Sequence, residues 1–411
     1  MSVCRMRYFW WHLATDYWVR YSAPDAGRSG FRTNVMEGGG EQMKSNARMA
    51  DRVLVIGAGV SGLTTAKCLI DAGFDVTIVS EHPAERGPSV VAGALWEWPP
   101  AVCGHHRDPD SLSRSKEWAA VSYERFSRLS GDVRTGVRMA QAVFYFRQRI
   151  DDSPRENAKM DEAAARVHGF EHSADLIERH GVNSGLGFRD AYTYHAPLID
   201  TGVYVAWLRV ELEATGCRFE QHRLDEPLSD SADRLCREYG AVAVVNCSGL
   251  GSIDLAGDPM QPLRGALVRV RNDGAAMPKV SVAHCVAYDD AAEDQQMIYI
   301  IPRGEDGLLL GGIAELGEWD TRIDLDHSHV RGIVRRCRDF LPALQFAEIE
   351  LEEPVRVGLR PYREKNVRVE AEPGRRIVHN YGHGGSGFSF SWGCAEESAR
   401  LVESIVSIVG N

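Results

Sequence analysis

The sequence predicts a mixed α/β chain, α+β in overall layout, with one doubly wound domain on a parallel sheet and a second domain on an antiparallel sheet. Three observations carry that expectation. A β-branched run, a glycine turn and a helical pattern succeed one another in "RVLVIGAGVSGLTTAKCLIDAGFDVTIVSE", from Arg52 to Glu81. Far downstream, "GALVRVR", "QMIYIIPRGEDGLLLGGIAEL" and "EEPVRVGLRPYREKNVRVE" alternate in polarity and are broken by glycines in the manner of hairpins. A glycine cluster, "HNYGHGGSGFSFSWG", then opens a last helical pattern near the end of the chain. Continuous β-branched runs suit strands buried on both faces of a parallel sheet, whereas alternation suits antiparallel strands covered on one side.

Taken in order, the first fifty residues mix Trp, Arg and Gly without a helical or strand period, and they lack the apolar core and cleavage site of a signal peptide. Residues 1–50 are therefore expected to form a disordered extension, with "YFWWHLATDYWVRY" the part suited to docking on a surface. From Asp51 the pattern becomes a Rossmann-like βαβ unit: a strand, a helix with Leu63, Ala66, Leu69 and Ile70 on one face, and a second strand over Val76 to Val79. Gly57 permits the tight turn, Gly59 lets the backbone approach a pyrophosphate, and Gly62 lets helix and strand pack closely. Val60 and Ser61 open the helix, whose N–H groups face the phosphate, and Glu81 stands where an acid accepts hydrogen bonds from a ribose. These residues imply a bound dinucleotide but do not choose between FAD and NAD.

Further along, "DTGVYVAWLRVELEATGCRFEQHRL" reads as a helix and a strand, and "YGAVAVVNCSGLGS" as a strand ending in a glycine turn. Both are expected to rejoin the first sheet, with Ser248 as backbone beside the cofactor, since ligands lie outside the carboxyl ends of such strands. "DDSPRENAKMDEAAARVHGF" reads as a charged, exposed stretch. The chain then crosses between domains more than once. Residues 51–97, 196–260 and 374–411 are assigned to the nucleotide-binding domain, and 98–195 and 261–373 to a substrate-binding domain.

Composition narrows the function classes. A chain of 411 residues, 44% hydrophobic and 26% charged, suffices for two packed domains, and a formal net charge of −11 argues against a general nucleic-acid binder. Nine cysteines without CxxC pairs read as reduced thiols in a cytoplasmic protein, and no apolar run is long enough to span a bilayer. Cys103, His105 and His106 in "CGHHRD" lack a second ligand cluster, so no metal site is expected. Ser248 lacks the G-x-S-x-G frame of a nucleophile.

Together, "VLVIGAGVSGL", "SVVAGALWEWPP", "VVNCSGLGS", "PLRGALVRV", "IYIIPR", "LGGIAELGEWD", "VGLRPYR" and "HNYGHGGSGFSFSWGCAEESA" stand in the order and approximate spacing of the D-amino-acid oxidase family, which the chain resembles from about Arg52 to its end. The resemblance implies FAD as the cofactor. It places Gly384, Gly385, Ser386, Gly387, Phe388 and Ser389 against the flavin ring, with Gly385 at the reacting edge, and Ser89, Gly93, Ala94 and Leu95 along the pyrophosphate and flavin. Leu224 falls to the cofactor side as well, and Ser386 also to the substrate side. Glycine lets backbone lie against a flat ring, and a helix N-terminus offers donors where negative charge develops.

On the substrate side the resemblance makes Arg360 the carboxylate anchor, its planar fork suited to two parallel hydrogen bonds, and Tyr299 a second donor to the same group. Taken alone, Arg360 would read as a surface charge and Tyr299 as an aromatic on a half-buried strand. Three positions depart from the family pattern: Gln295 stands where a lid tyrosine is frequent, His82 replaces an arginine after the ribose acid, and Glu97 replaces a neutral glutamine near the substrate. A carboxylate at Glu97 either favours a cationic group or turns outward to an arginine.

The reaction so implied is oxidation of a D-amino acid: hydride leaves Cα for flavin N5, and the imino acid hydrolyses to 2-oxo acid and ammonia, with oxygen reduced to hydrogen peroxide. No protein base is needed, and positioning does most of the work. The alternatives are a related FAD amine oxidase or dehydrogenase on a glycine-like, secondary-amine or larger biosynthetic substrate, a nicotinamide-dependent dehydrogenase, and a non-catalytic flavin-binding protein. The expected partners are a small amine or amino acid, oxygen and a second copy of the chain in a homodimer, with neither nucleic acid nor membrane.

Overall fold

The run Val53-Leu54-Val55-Ile56 is buried on both faces, as befits the middle strand of a parallel sheet. In the computed structural model, which describes residues 50–98, 108–286 and 297–409, it becomes β1 (Arg52–Ile56) of a chain with two sheets. The remaining strands are β2 (Asp75–Ser80), β3 (Val137–Phe146), β4 (His168–His172), β5 (Asp190–Ile199), β6 (Arg218–Gln221), β7 (Ala241–Asn246) and β8 (Gln261–Arg271). There follow β9 (Ala283–Val286), β10 (Ile298–Arg303), β11 (Gly307–Gly311), β12 (Glu315–Leu316), β13 (Val355–Tyr362), β14 (Arg368–Ala371) and β15 (Ile377–Tyr381). Residues 1–49, expected as an extension, lie outside the described residues.

The first sheet has the order β14-β15-β7-β1-β2-β6. β1 pairs in parallel with β2 (Val53 opposite Val76) and with β7 (Val53 opposite Ala243), and helices Val60–Asp71, Thr201–Ala214 and Leu228–Tyr239 supply crossovers. The glycine turn works as its sequence requires. Gly57 has φ +105° and a Cβ there would lie 2.4 Å from the Cys247 carbonyl oxygen, while a Cβ on Gly62 would lie 1.9 Å from the Gly57 oxygen. The segments at 201–221 and 241–246 do rejoin this sheet. One segment departs from expectation: β14, expected in the antiparallel sheet, instead pairs with β15 at the edge of the first sheet.

The second sheet has nine strands in the order β12-β8-β11-β10-β9-β3-β5-β4, with β13 also paired to β8. All its pairings are antiparallel except β3 with β9. The hairpin expected from "IYIIPRGEDGLLLGG" is β10 and β11, with Tyr299 opposite Gly311. β3 and β5 form its longest ladder, from Val137 opposite Ile199 to Phe146 opposite Asp190.

The last helix lies against the first sheet at β7, β14 and β15. The helix Gly387–Val409 packs on the helices Val60–Asp71 and Pro109–Leu129, the latter capped by Asp108, whose carboxylate accepts from Ser111 N at 2.8 Å. A Cβ on Gly393 would lie 2.3 Å from the Trp118 Cα, so a glycine is what brings those two backbones so close. Phe388 and Trp392 of the last helix join Leu63, Ala66, Leu69 and the inner faces of β1 and β2 in one buried cluster. The cysteines of the described residues are free and buried, and no helix among those residues is long and apolar enough to cross a membrane.

Candidate active site

The carboxyl ends of β1, β2, β7 and β15 all open on one cleft of about 370 Å3. Because parallel strands end together there, four separate stretches of sequence meet: the turn after β1, residues 80–97, residues 247–249, and the loop after β15. Of the residues predicted to touch a cofactor, Gly57, Gly59, Val60, Ser61, Glu81, Ser89, Gly93, Ala94, Leu95, Ser248 and all of Gly384 to Ser389 line this cleft. Gly62 lies behind it as packing against Gly57, and Leu224 packs instead against the apolar cluster of Leu54, Ile56 and Val79.

Each part of the lining is fixed by its own contacts. Val60 N donates to Ser89 Oγ at 2.9 Å, joining the helix start to the strap that follows β2. The first turns of helices Val60–Asp71 and Gly387–Val409 contain no acidic residue and both open on the cleft, which fits an anionic pyrophosphate and an electron-rich ring edge. Gly384 has φ +53°, a conformation that suits glycine in the turn leading into the last helix. Ala94, at φ +48°, is held in an unfavoured backbone region while its carbonyl accepts from Ile199 N at 3.1 Å. Glu81 is half exposed and accepts from Arg223 Nη1 at 3.1 Å, and His82 stays at the surface beside it.

At the other end of the cleft three charged or polar side chains converge. Arg360 extends from β13, where it lies opposite Leu263 of β8. Its guanidinium lies over Gly265, where a Cβ would come within 2.4 Å of Cζ, and Nη1 donates to the Ile313 carbonyl at 3.1 Å. Burial draws its pKa down, with Tyr299 opposing. Tyr299 Oη donates to Glu97 Oε2 at 3.4 Å, a long bond, and burial together with Glu97 pushes the phenol well up. Glu97 is 7% exposed, and its Oε1 has no hydrogen-bond partner among the described residues. Loss of water raises its carboxyl pKa, a shift that Lys159 opposes.

Sequence reasoning missed the supports. His383 Nδ1 lies 3.4 Å from Ser61 Oγ and its Nε2 3.0 Å from Asn380 Oδ1, while Asn380 Nδ2 donates to Thr65 Oγ1 at 3.0 Å. This buried chain ties the loop after β15 to the helix after β1, and burial holds the His383 pKa down at about 4, so it is neutral. Arg303, its pKa drawn down by burial to about 10, donates to the carbonyls of Ala92 at 3.2 Å and Gly93 at 2.5 Å, and also to that of Ile199. Its position directly after "IYIIP" was the available signal. Gln295, Cys103, His105 and His106 lie outside the described residues.

A glycine cradle at the strand ends of a parallel sheet, continuous with a pocket lined by half-buried Arg360 and Tyr299 and buried Glu97, defines a dinucleotide-dependent oxidoreductase. The chain belongs to the D-amino-acid oxidase family of FAD-dependent oxidoreductases: the family model described as FAD dependent oxidoreductase matches residues 52–401. It is similar to a D-amino-acid oxidase of Rubrobacter xylanophilus, 36% identical over 366 residues that make up 88% of this chain and 98% of that one. A D-amino-acid oxidase of Streptomyces coelicolor is 38% identical over 358 residues, 85% of this chain and 96% of that one. Among solved structures, glycine oxidase from Geobacillus kaustophilus shares the fold, with a TM-score of 0.66 at 18% identity over 86% of this chain and 95% of that chain. The protein is an FAD-dependent oxidoreductase acting on a CH–NH2 group.

Proposed function

We propose that the protein oxidises a D-amino acid to an imino acid, which hydrolyses to a 2-oxo acid and ammonia. The observation that carries this reading is the convergence of Arg360 and Tyr299 on the cleft that also contains the glycine cradle. In this reading Gly57 to Gly62 and the helix start hold the FAD pyrophosphate, Glu81 a ribose, and Ser89 to Leu95 with Gly384 to Ser389 the flavin. Bound FAD supplies the two-electron acceptor for oxidation of the amine carbon, and oxygen is the final acceptor, leaving as hydrogen peroxide.

The chain's own residues bind and orient. Arg360, fixed over Gly265 with one nitrogen engaged by Ile313, keeps its remaining donors for a carboxylate. The Tyr299 phenol, kept protonated by burial and by Glu97, is a hydrogen-bond donor and not a base. His383 is neutral and already bonded on both ring nitrogens, so it neither takes nor gives a proton. Catalysis then rests on positioning, with the substrate entering as the free amine. The parallel sheet is read as the cofactor lobe (51–97, 196–260 and 374–411, with β14 added), the nine-stranded sheet as the substrate lobe, and the cytoplasm as the site of action.

An anaerobic absorbance titration with matched D- and L-amino acids, followed by air, tests the reading. Bleaching of the flavin by D-isomers alone, with colour and peroxide returning in air, is the expected result. A yellow protein that no D-amino acid bleaches would refute it.

A further inference from the structure

We propose that Glu97 selects substrates whose side chain ends in a cation, so that the pocket takes basic D-amino acids carrying an ammonium or guanidinium group. This deepens the proposed function and rests on it. The starting point is an unusual deficit: Glu97 is 7% exposed, one oxygen has no partner among the described residues, and the other accepts only a 3.4 Å bond from Tyr299. A buried carboxyl group left short of partners is costly, and a ligand that supplies the missing charge recovers that cost.

The cleft offers the rest of the recognition. Arg360 and Glu97 both line it, with Tyr299 between their functions: hydrogen-bonded to Glu97 and electrostatically coupled to Arg360. A ligand with a carboxylate at one end and a cation at the other satisfies both charges. A side chain that merely fills the space leaves Glu97 as it was, and sites built around a buried polar group discriminate strongly against analogues lacking the matching group. Among the described residues, the titratable groups coupled to Glu97 are Tyr299 from β10, Tyr192 and Tyr194 from β5, Cys285 from β9, and Lys159 and Glu156 from the helix Pro154–Ala164. Lys159 is the one cation in that set, and Oε1 has no hydrogen-bond partner among the described residues. Burial raises the Glu97 carboxyl pKa, and a bound cation favours the ionised form. Cation affinity therefore rises with pH until the free carboxyl is itself ionised.

The test uses the full-length yellow protein. D-Lysine and D-norleucine differ by the terminal ammonium, so D-lysine is expected to show at least about tenfold higher kcat/KM. Glu97→Gln, which removes charge at nearly constant volume, should lower the D-lysine to D-norleucine ratio by about 30-fold or more. In parallel, 6-aminohexanoate and hexanoate, neither of which has an α-amine, are titrated against the flavin absorbance. The former should bind at least about tenfold tighter, with an advantage that grows as pH rises and is lost in Glu97→Gln. Equal handling of D-lysine and D-norleucine, or a ratio unmoved in a yellow Glu97→Gln protein, would overturn the inference and leave the proposed function standing. If no D-amino acid reduces the flavin, the proposed function fails, and the hexanoate pair still decides whether Glu97 recognises a cation.

Discussion

Arg360 owes its place to a residue with no side chain. Gly265 sits on the neighbouring strand, and a methyl group there would come within 2.5 Å of the guanidinium carbon and both terminal nitrogens. Gly265→Ala should therefore displace the proposed carboxylate anchor without touching the substrate. Displacement of a positioning group by about 1 Å can cost about 100-fold, so kcat/KM for D-amino acids is expected to fall by that order while the protein stays yellow. Activity equal to wild type would show that Arg360 does not hold the substrate. Arg360, which alone reads as a surface charge, was picked out only through the family resemblance carried by its "GLRP" motif. The requirement for Gly265 was not, although it stands in "PLRGALV", because what a glycine makes room for comes from another strand. Glu97 was legible as an odd residue, but its unpaired oxygen is a property of everything folded around it.

At the level of elements, the βαβ unit was read almost residue for residue, since its strand, turn and helix are neighbours in sequence and its glycines meet each other across the turn. The edge strand β14 was misplaced for the opposite reason. Its four residues alternate like those of β13 just before it, and only the partner, β15, says which sheet they join. β3 and β5, the longest ladder, were not singled out at all; successive residues Ala142 to Tyr145 of β3 and nearly all of β5 are buried, which blurs the alternation that marks a half-covered strand. The last helix yields a stability prediction. Gly393 faces the backbone of Trp118, which cannot swing away as a side chain can. Gly393→Ala is expected to destabilise the fold by about 1–3 kcal/mol, read as a lower urea midpoint at unchanged slope. An unaltered midpoint would mean that the helices Pro109–Leu129 and Gly387–Val409 separate at little cost.

For the whole molecule, the cofactor cleft is a seam between parts of the chain made far apart: the β1 turn, the strap at 80–97 and the loop after β15. A ligand gripping all three binds the folded state alone, and saturation at 100-fold over Kd adds about 2.7 kcal/mol. Stripping FAD should lower the thermal midpoint by about 3 °C or more, and adding it back should restore the loss in a dose-dependent way. Identical midpoints with and without FAD would argue against the cradle as assigned. The same sheet order bears on biogenesis. β15 stands directly against β7 and reaches the ribosome exit long after it, so β7 emerges with one edge bare and waits for a partner encoded near the far end of the message. Such a strand is a template for mispairing during that wait, which makes the interval between the two a natural point for chaperone engagement and for the losses that follow when translation stalls.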